Sequence, residues 1–203
     1  MNSSISILIA EDQTLLLGAL KSLLELEPDF NIVATANNGK DALSELQHHQ
    51  PDILLTDIEM PEKTGLDLAE YIKQQDLSTK VIIMTTFARS GYLRRAMDSG
   101  VKGYLLKDSS SEELAKAIRR IHQGKKVIDP ELITEAWDQV DPLTDKERQA
   151  LKLASDGFST ESIAKKMHLS PGTVRNYLSN AASKLNAKNS IEAARIARQK
   201  GWL

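Results

Sequence analysis

ISILIAEDQ, residues 5–13, decides the fold of the front of the chain. A short, β-branched and almost unbroken apolar run is what a strand covered on both faces requires, and this one stops abruptly at Glu11 and Asp12. Four more runs of the same kind follow at 31–36, 53–57, 81–85 and 103–106. Helical spacing fills the gaps: Leu16, Leu20, Leu23 and Leu24, then Ala42, Leu43 and Leu46. A final helix carrying Leu114, Ile118 and Ile121 opens with the capping box Ser110-x-x-Glu113. Five strand–helix units in alternation predict an α/β fold, a five-stranded parallel, doubly wound (flavodoxin-like) sheet with right-handed crossovers over residues 1–123.

The text then changes. Residues 124–141 lack a strong period, carry Pro130 and end at Asp141-Pro142, which reads as a linker whose Trp137 has no evident role. From residue 142 to 203 the pattern is all-α. Thr144-x-x-Glu147 opens one helix, Ser159 caps a second, Ser170-Pro171 starts a third, and Asn189-x-x-Glu192 a fourth. Four helices in so short a span, with only a few residues between the second and third, predict a four-helix helix-turn-helix domain.

Composition sets the outer limits. The 203 residues are 41% apolar and 27% charged, ordinary for a globular chain. With no cysteine there can be no disulfide, thiolate-bound zinc, iron–sulfur cluster or thiol nucleophile. No apolar run approaches the roughly 18 residues of a membrane span, and the expected location is cytoplasmic with no membrane partner. The net charge of −2 conceals an asymmetry. Residues 1–141 hold 15 basic and 23 acidic side chains, whereas 142–203 hold 11 and 5. An acidic front joined to a basic back points the tail toward a polyanion.

In an open parallel sheet, ligands gather beyond the carboxyl ends of the strands, where strand order reverses. Glu11, Asp12 and Asp57 would meet there if the first and third strands are neighbours. Three converging carboxylates repel unless a cation intervenes, and an all-oxygen donor set suits Mg²⁺. Thr85 ends the fourth strand and Lys107 follows the fifth. A hydroxyl and an ammonium beside a carboxylate nucleophile, Asp57, would stabilise the oxygens of a transferring phosphoryl group.

ILIAEDQ (7–13), LLTDIEMP (54–61), VIIMTTFA (81–88) and GYLLKD (103–108) resemble the motifs of the response-regulator receiver domain. The stretch from LTDKERQALKLASDG through GTVRNYLSNAASKLNAKNSIEA resembles the LuxR-type helix-turn-helix. Together they resemble the NarL/FixJ family, and EDQTLLLGAL, DIEMPEKTGL and TTFARSGY are similar to its DesR-type branch, which controls fatty-acid desaturase expression. The resemblance implies that Asp57 accepts phosphate from a sensor histidine kinase. Glu11, Asp12 and the Glu59 backbone carbonyl would join Asp57 around Mg²⁺, while Thr85 and Lys107 contact the phosphoryl group. Tyr104 stands at the aromatic switch position. Phe87 replaces the polar residue of fast-decaying relatives, where it would hinder the hydrolytic water. Phosphorylation would produce a homodimer, with 15–24 and 114–121 as candidate surfaces and RNA polymerase as a further partner.

In the third tail helix Val174, Leu178, Ala181 and Leu185 form the inward stripe. Thr173, Arg175, Asn176 and Ser179 are then the base-reading candidates, since Arg suits guanine and Asn suits adenine. Lys165, Lys166, Lys184 and Lys188 are placed for the phosphates of double-stranded DNA. The fourth helix, with Ile191, Ala194 and Ile196, caps the core at least in part; the family resemblance implies that it pairs two copies on DNA, the alternative being that it only caps. The four histidines show no metal pattern. Two other readings stand beside a phosphorylation-switched transcription factor. One is a constitutive DNA binder on an inactive receiver scaffold. The other is an aspartyl-phosphate phosphatase like the haloacid dehalogenases, whose further acids lie downstream of the nucleophile rather than upstream as here.

Overall fold

A computed structural model describes residues 4–86, 90–137 and 141–203, with the side chains of 90 and 134–137 set aside. Phe87 and the Trp137 side chain therefore lie outside what is described. In chain order the elements are β1 (Ile5–Ala10), α1 (Thr14–Leu24), β2 (Phe30–Ala36), α2 (Gly39–His49), β3 (Ile53–Asp57), α3 (Gly65–Gln74), β4 (Lys80–Thr85), α4 (Ser90–Asp98), β5 (Gly103–Leu106) and α5 (Ser111–His122). Then come β6 (Val127–Ile128), α6 (Pro130–Trp137), α7 (Asp145–Ser155), α8 (Thr160–Met167), α9 (Pro171–Lys184) and α10 (Ser190–Gln199). The chain divides into two compact units, the division falling within α6 after Thr134.

All strands of the first unit run parallel in the order β2-β1-β3-β4-β5-β6. Every residue of β3 is buried, as a central strand with helices on both faces demands. Alternate strand residues serve opposite faces. Ile7, Ile9, Ile53, Leu55, Ile82 and Met84 pack on Leu20 and Leu24 of α1 and on Leu114, Ile118 and Ile121 of α5. Leu8, Leu54, Ile83 and Tyr104 are among the buried residues of the other face. Burial of each large aliphatic side chain contributes roughly 1.5–3 kcal/mol, so this double-sided core dominates the unit's stability.

One finding revises the expectations. The sheet has six strands rather than five, because part of the expected linker joins it. Val127 donates its N–H to the Lys102 carbonyl (2.9 Å), and Asp129 donates to that of Tyr104 (2.9 Å), which lays β6 along β5. A two-residue strand is too short to show a period, so only its partner reveals it. On α5, Leu114, Ile118 and Ile121 are interior, as their helical spacing predicts. On α1 the picture is the reverse: Leu15 is 90% exposed, and Leu26, just past the helix, 78%.

The second unit is the expected all-α domain. The Thr144, Ser159, Ser170 and Asn189 caps all form, as does that of Ser110 on α5 in the first unit, each side chain accepting a backbone N–H three residues on. One core joins Leu143, Leu151, Ala181, Leu185 and Ala193, and a second joins Ala150, Ile163, Met167 and Val174. Leu178 packs on both. Between α8 and α9, His168 takes the left-handed conformation (φ 55°) and Ser170 caps α9, so the connection turns within three residues. Ile191 on α10 is exposed rather than part of the core.

Candidate functional site

Strand registry assembles the acidic site. Ala10 of β1 lies beside Thr56 of β3, Asp57 beside Met84 of β4, and Thr85 beside Leu106 of β5. The residues that follow these ends, Glu11, Asp12 and Lys107, are thereby gathered around Asp57 with no loop excursion. β1 sits between β2 and β3, so strand order reverses about this point and leaves a crevice at the carboxyl edge.

Carboxylate oxygens of Glu11, Asp12 and Asp57 all lie within 4.8 Å of one another. Glu11 is 1% exposed and Asp57 8%, while Asp12 faces solvent. Lys107 bridges the two buried acids, its Nζ standing 2.8 Å from Glu11 Oε2 and 3.1 Å from Asp57 Oδ2. The Ile58 N–H donates to Asp57 Oδ1 at 2.7 Å, and the Gln13 N–H to Glu11 Oε1 at 3.3 Å. The Lys107 N–H donates to the Thr85 carbonyl at 2.8 Å, tying the ends of β4 and β5 together.

One ammonium is too little for three carboxylates. Burial pushes the Asp57 carboxyl above its ordinary value, Lys107 pulls it back only in part, and the Asp12 charge adds to the rise. Glu11 is raised in the same way, by burial first, with Lys107 opposing and the Asp57 charge adding. Burial works against the Lys107 ammonium, yet its bond to Glu11 and the Asp57 charge hold its pKa above the usual lysine value. The cluster therefore retains an excess of negative charge, and its all-oxygen donors fit a small hard cation.

Thr85 is buried at the end of β4, and Tyr104 is fully buried on β5, paired with Ile83 on one side and Ile128 on the other. Glu59 follows Asp57 by two residues on an exposed part of the same loop.

On the second unit, α9 presents Arg175, Asn176 and Ser179 to solvent, away from buried Val174 and Ala181. Thr173 is half-buried, its hydroxyl 2.9 Å from that of Ser170. Lys165, Lys166 and Lys188 are exposed, with the Lys166 ammonium 4.6 Å from the centre of the Phe158 ring. Lys184 is exposed as well and also has a partner within the fold. Its Nζ pairs at 2.7 Å with Glu147, a carboxylate only 4% exposed, and so it closes α9 onto α7. The capping box signals Glu147 in sequence, but not a partner 37 residues away.

Residues 7–119 match the response regulator receiver domain family, and residues 141–197 the luxR family of bacterial regulatory proteins. The chain is a response regulator of the LuxR type. It is 52% identical over 198 residues to the transcriptional regulatory protein DesR of Bacillus subtilis, covering 98% of both chains. It is 49% identical to the uncharacterized transcriptional regulatory protein YvfU of the same organism, covering 98% of this chain and all of that one. Among solved structures, a LuxR-family DNA-binding response regulator from Staphylococcus aureus is 42% identical, with TM-score 0.57 over 58% of this chain and 98% of that one. The response regulator RcsB in its DNA complex is 27% identical, with TM-score 0.64 over 97% and 98%. This response regulator is thus a DNA-binding transcriptional regulator with a receiver in front. No helix among its described residues is long and apolar enough to cross a membrane.

Proposed function

We propose that this regulator is switched by phosphoryl transfer to Asp57 from a sensor histidine kinase. The observation that carries the reading is Lys107 shared between Glu11 and Asp57 at the strand ends, with Asp12 completing a carboxylate triad. In the transfer, an Asp57 oxygen forms the new P–O bond as the P–N bond to the kinase imidazole breaks, and the imidazole leaves with a proton. Mg²⁺ held by Glu11, Asp12, Asp57 and the Glu59 carbonyl would offset the charge gathered there. Lys107 is placed to follow the phosphoryl oxygens, and the Thr85 hydroxyl to donate to them.

The acyl phosphate carries about −1.5 to −2 charge where the carboxylate carried −1, so it adds to a crevice already in excess. Thr85 and Tyr104 are the elements this charge biases. The exposed Leu15, Leu23 and Leu26 offer the apolar surface on which two receivers would dimerise, with the outer side of α5 beside it. Dimerisation raises the effective concentration of two C-terminal domains on adjacent half-sites of an operator, with no signal required to pass between the domains of one chain. Thr173, Arg175, Asn176 and Ser179 read bases there, while Lys165, Lys166 and Lys188 hold phosphates. The motif resemblance to the DesR-type branch makes membrane-lipid desaturase genes the candidate targets, with RNA polymerase as a further partner and the cytoplasm as the location. Order along the chain, with Glu11 and Asp12 ahead of Asp57, speaks against the phosphatase reading.

Mass spectrometry and light scattering with Mg²⁺, before and after acetyl phosphate, test this. A gain of one phosphoryl group and a monomer-to-dimer shift are expected, both lost in Asp57→Ala. No gain in the wild type overturns the proposal in favour of a constitutive DNA binder. A slower loss of phosphate from the wild type than from Phe87→Glu is expected, and equal half-lives would remove Phe87 from the account.

A further inference from the structure

The loop from Asp57 to α3 contains a strained turn. Glu62 adopts φ 67°, and the Lys63 N–H donates across it to the Pro61 carbonyl at 2.8 Å. This is the unfavourable form of the three-residue γ-turn, with a non-glycine residue at its centre. Such strain persists only where the surroundings over-determine the backbone.

Two helix starts do so here. Gly65, first residue of α3, donates its N–H to the Ile58 carbonyl at 3.0 Å, and a Cβ on it would overlap the Asp57 carbonyl oxygen. Gly39, first residue of α2, donates to the same Pro61 carbonyl that closes the turn, at 3.1 Å. A Cβ on Gly39 would overlap the Lys63 carbonyl oxygen and stand 2.6 Å from both its carbonyl carbon and its Cβ. Neither glycine has a positive φ, so both are needed for space and not for dihedral freedom. The atoms in the way at Gly39 are backbone or a Cβ fixed by the backbone, so no rotamer change relieves the overlap. The turn itself would have to retreat, taking with it the loop that carries Glu59.

We propose that Gly39 is a positioning residue for the phosphoacceptor site: it lets the 61–63 turn seat on the start of α2, and so holds the loop joining Asp57 to Glu59 where its oxygens can serve a divalent cation. This rests on the phosphoacceptor reading above. Gly39 itself touches none of the reacting groups.

The test uses the full chain, with Mn²⁺ as the probe, counted free and bound by electron paramagnetic resonance. Acetyl phosphate uptake is followed by mass, and thermal unfolding by circular dichroism. Displacements near 1 Å at reacting groups cost on the order of 100-fold in rate. Gly39→Ala is therefore expected to fold, to bind Mn²⁺ at least roughly tenfold more weakly and to take up phosphate about 100-fold more slowly. Two variants should match the wild type. Gly18→Ala places the same change in a helix with open space, and Lys40→Ala removes only the exposed 3.9 Å pair with Glu62. A folded Gly39→Ala with wild-type Mn²⁺ affinity overturns the inference, whatever its melting temperature. Should Gly39→Ala not fold, Asn38→Ala decides instead. It removes the side chain that caps α2 by accepting the Asp41 N–H, loosening the first turn without adding bulk. Weaker Mn²⁺ binding in that variant supports the inference, and unchanged binding overturns it. A wild type that neither binds Mn²⁺ nor gains phosphate overturns the phosphoacceptor reading and this inference together.

Discussion

Each unit of this protein buries a glutamate against a lysine, and burial has opposite consequences in the two. In the C-terminal unit Glu147 receives the Lys184 ammonium at 2.7 Å and the Thr144 N–H at 2.8 Å. Burial works to raise its pKa, but these partners outweigh it and hold the carboxyl below its ordinary value. In the receiver Glu11 and Asp57 share one lysine, with Asp12 alongside, and both are raised. The first arrangement is complete and holds α7 to α9. The second is short of positive charge, so its carboxylates repel one another and a bound cation would offset them. A buried salt bridge thus reads as structure or as chemistry according to whether its charges balance.

The widest separation between the two comes from Asp57→Ala. It should abolish phosphate uptake entirely, while Lys184→Met leaves uptake intact, as mass after acetyl phosphate treatment will show. Next in size, Arg175→Ala on the exposed face of α9 should weaken operator binding by about 1–3 kcal/mol, measured by fluorescence anisotropy, with phosphate uptake unchanged.

Breaking the balanced pair comes third. Lys184→Met leaves Glu147 with its Thr144 bonds alone and should cost the C-terminal unit about 1–3 kcal/mol in urea unfolding at pH 7. The sign with pH follows from the lowered carboxyl. Its stabilisation is present above the unfolded-state pKa of 4.5 and lost as pH falls through the folded-state value, so variant and wild type should converge in acid.

The unbalanced cluster should answer in the opposite direction. A carboxyl raised by folding destabilises the protein wherever it is ionised, so Asp57→Asn should raise the receiver's melting temperature by a few degrees in metal-free buffer at neutral pH. Added Mg²⁺ should then stabilise the wild type and not the variant. Smallest of all, Gly18→Ala, on an exposed face of α1 and far from either cluster in character, should gain about 0.5–1 kcal/mol from helix propensity alone.

Much of this was legible along the chain because it is local. A strand's alternation, a serine three residues before a glutamate, or a proline at a helix start are short-range signals, and the caps at Ser110, Thr144, Ser159, Ser170 and Asn189 form as read. The acidic site was legible for a related reason. Parallel strands placed side by side must bring the residues after their ends together, so Glu11, Asp12, Asp57, Thr85 and Lys107 could be grouped before any distance was known. β6 could not be foreseen, since two residues carry no period and are held by the Lys102 and Tyr104 carbonyls. Nor could the Arg119 cluster, in which one guanidinium at the end of α5 binds Glu27 and Asp29 before β2 and lies over the Phe30 ring.

The amino-acid sequence by itself determined the two units, the order of their elements and the residues that end each strand, because hydrophobic period and capping act over a few residues. Only the tertiary structure decided how the charges are shared: Lys107 between two acids, Lys184 held by Glu147, and Gly39 under the turn that follows Asp57. Coulomb energy, desolvation and steric overlap depend on distances of a few ångströms between residues far apart in the chain, and those distances exist only once the chain has folded.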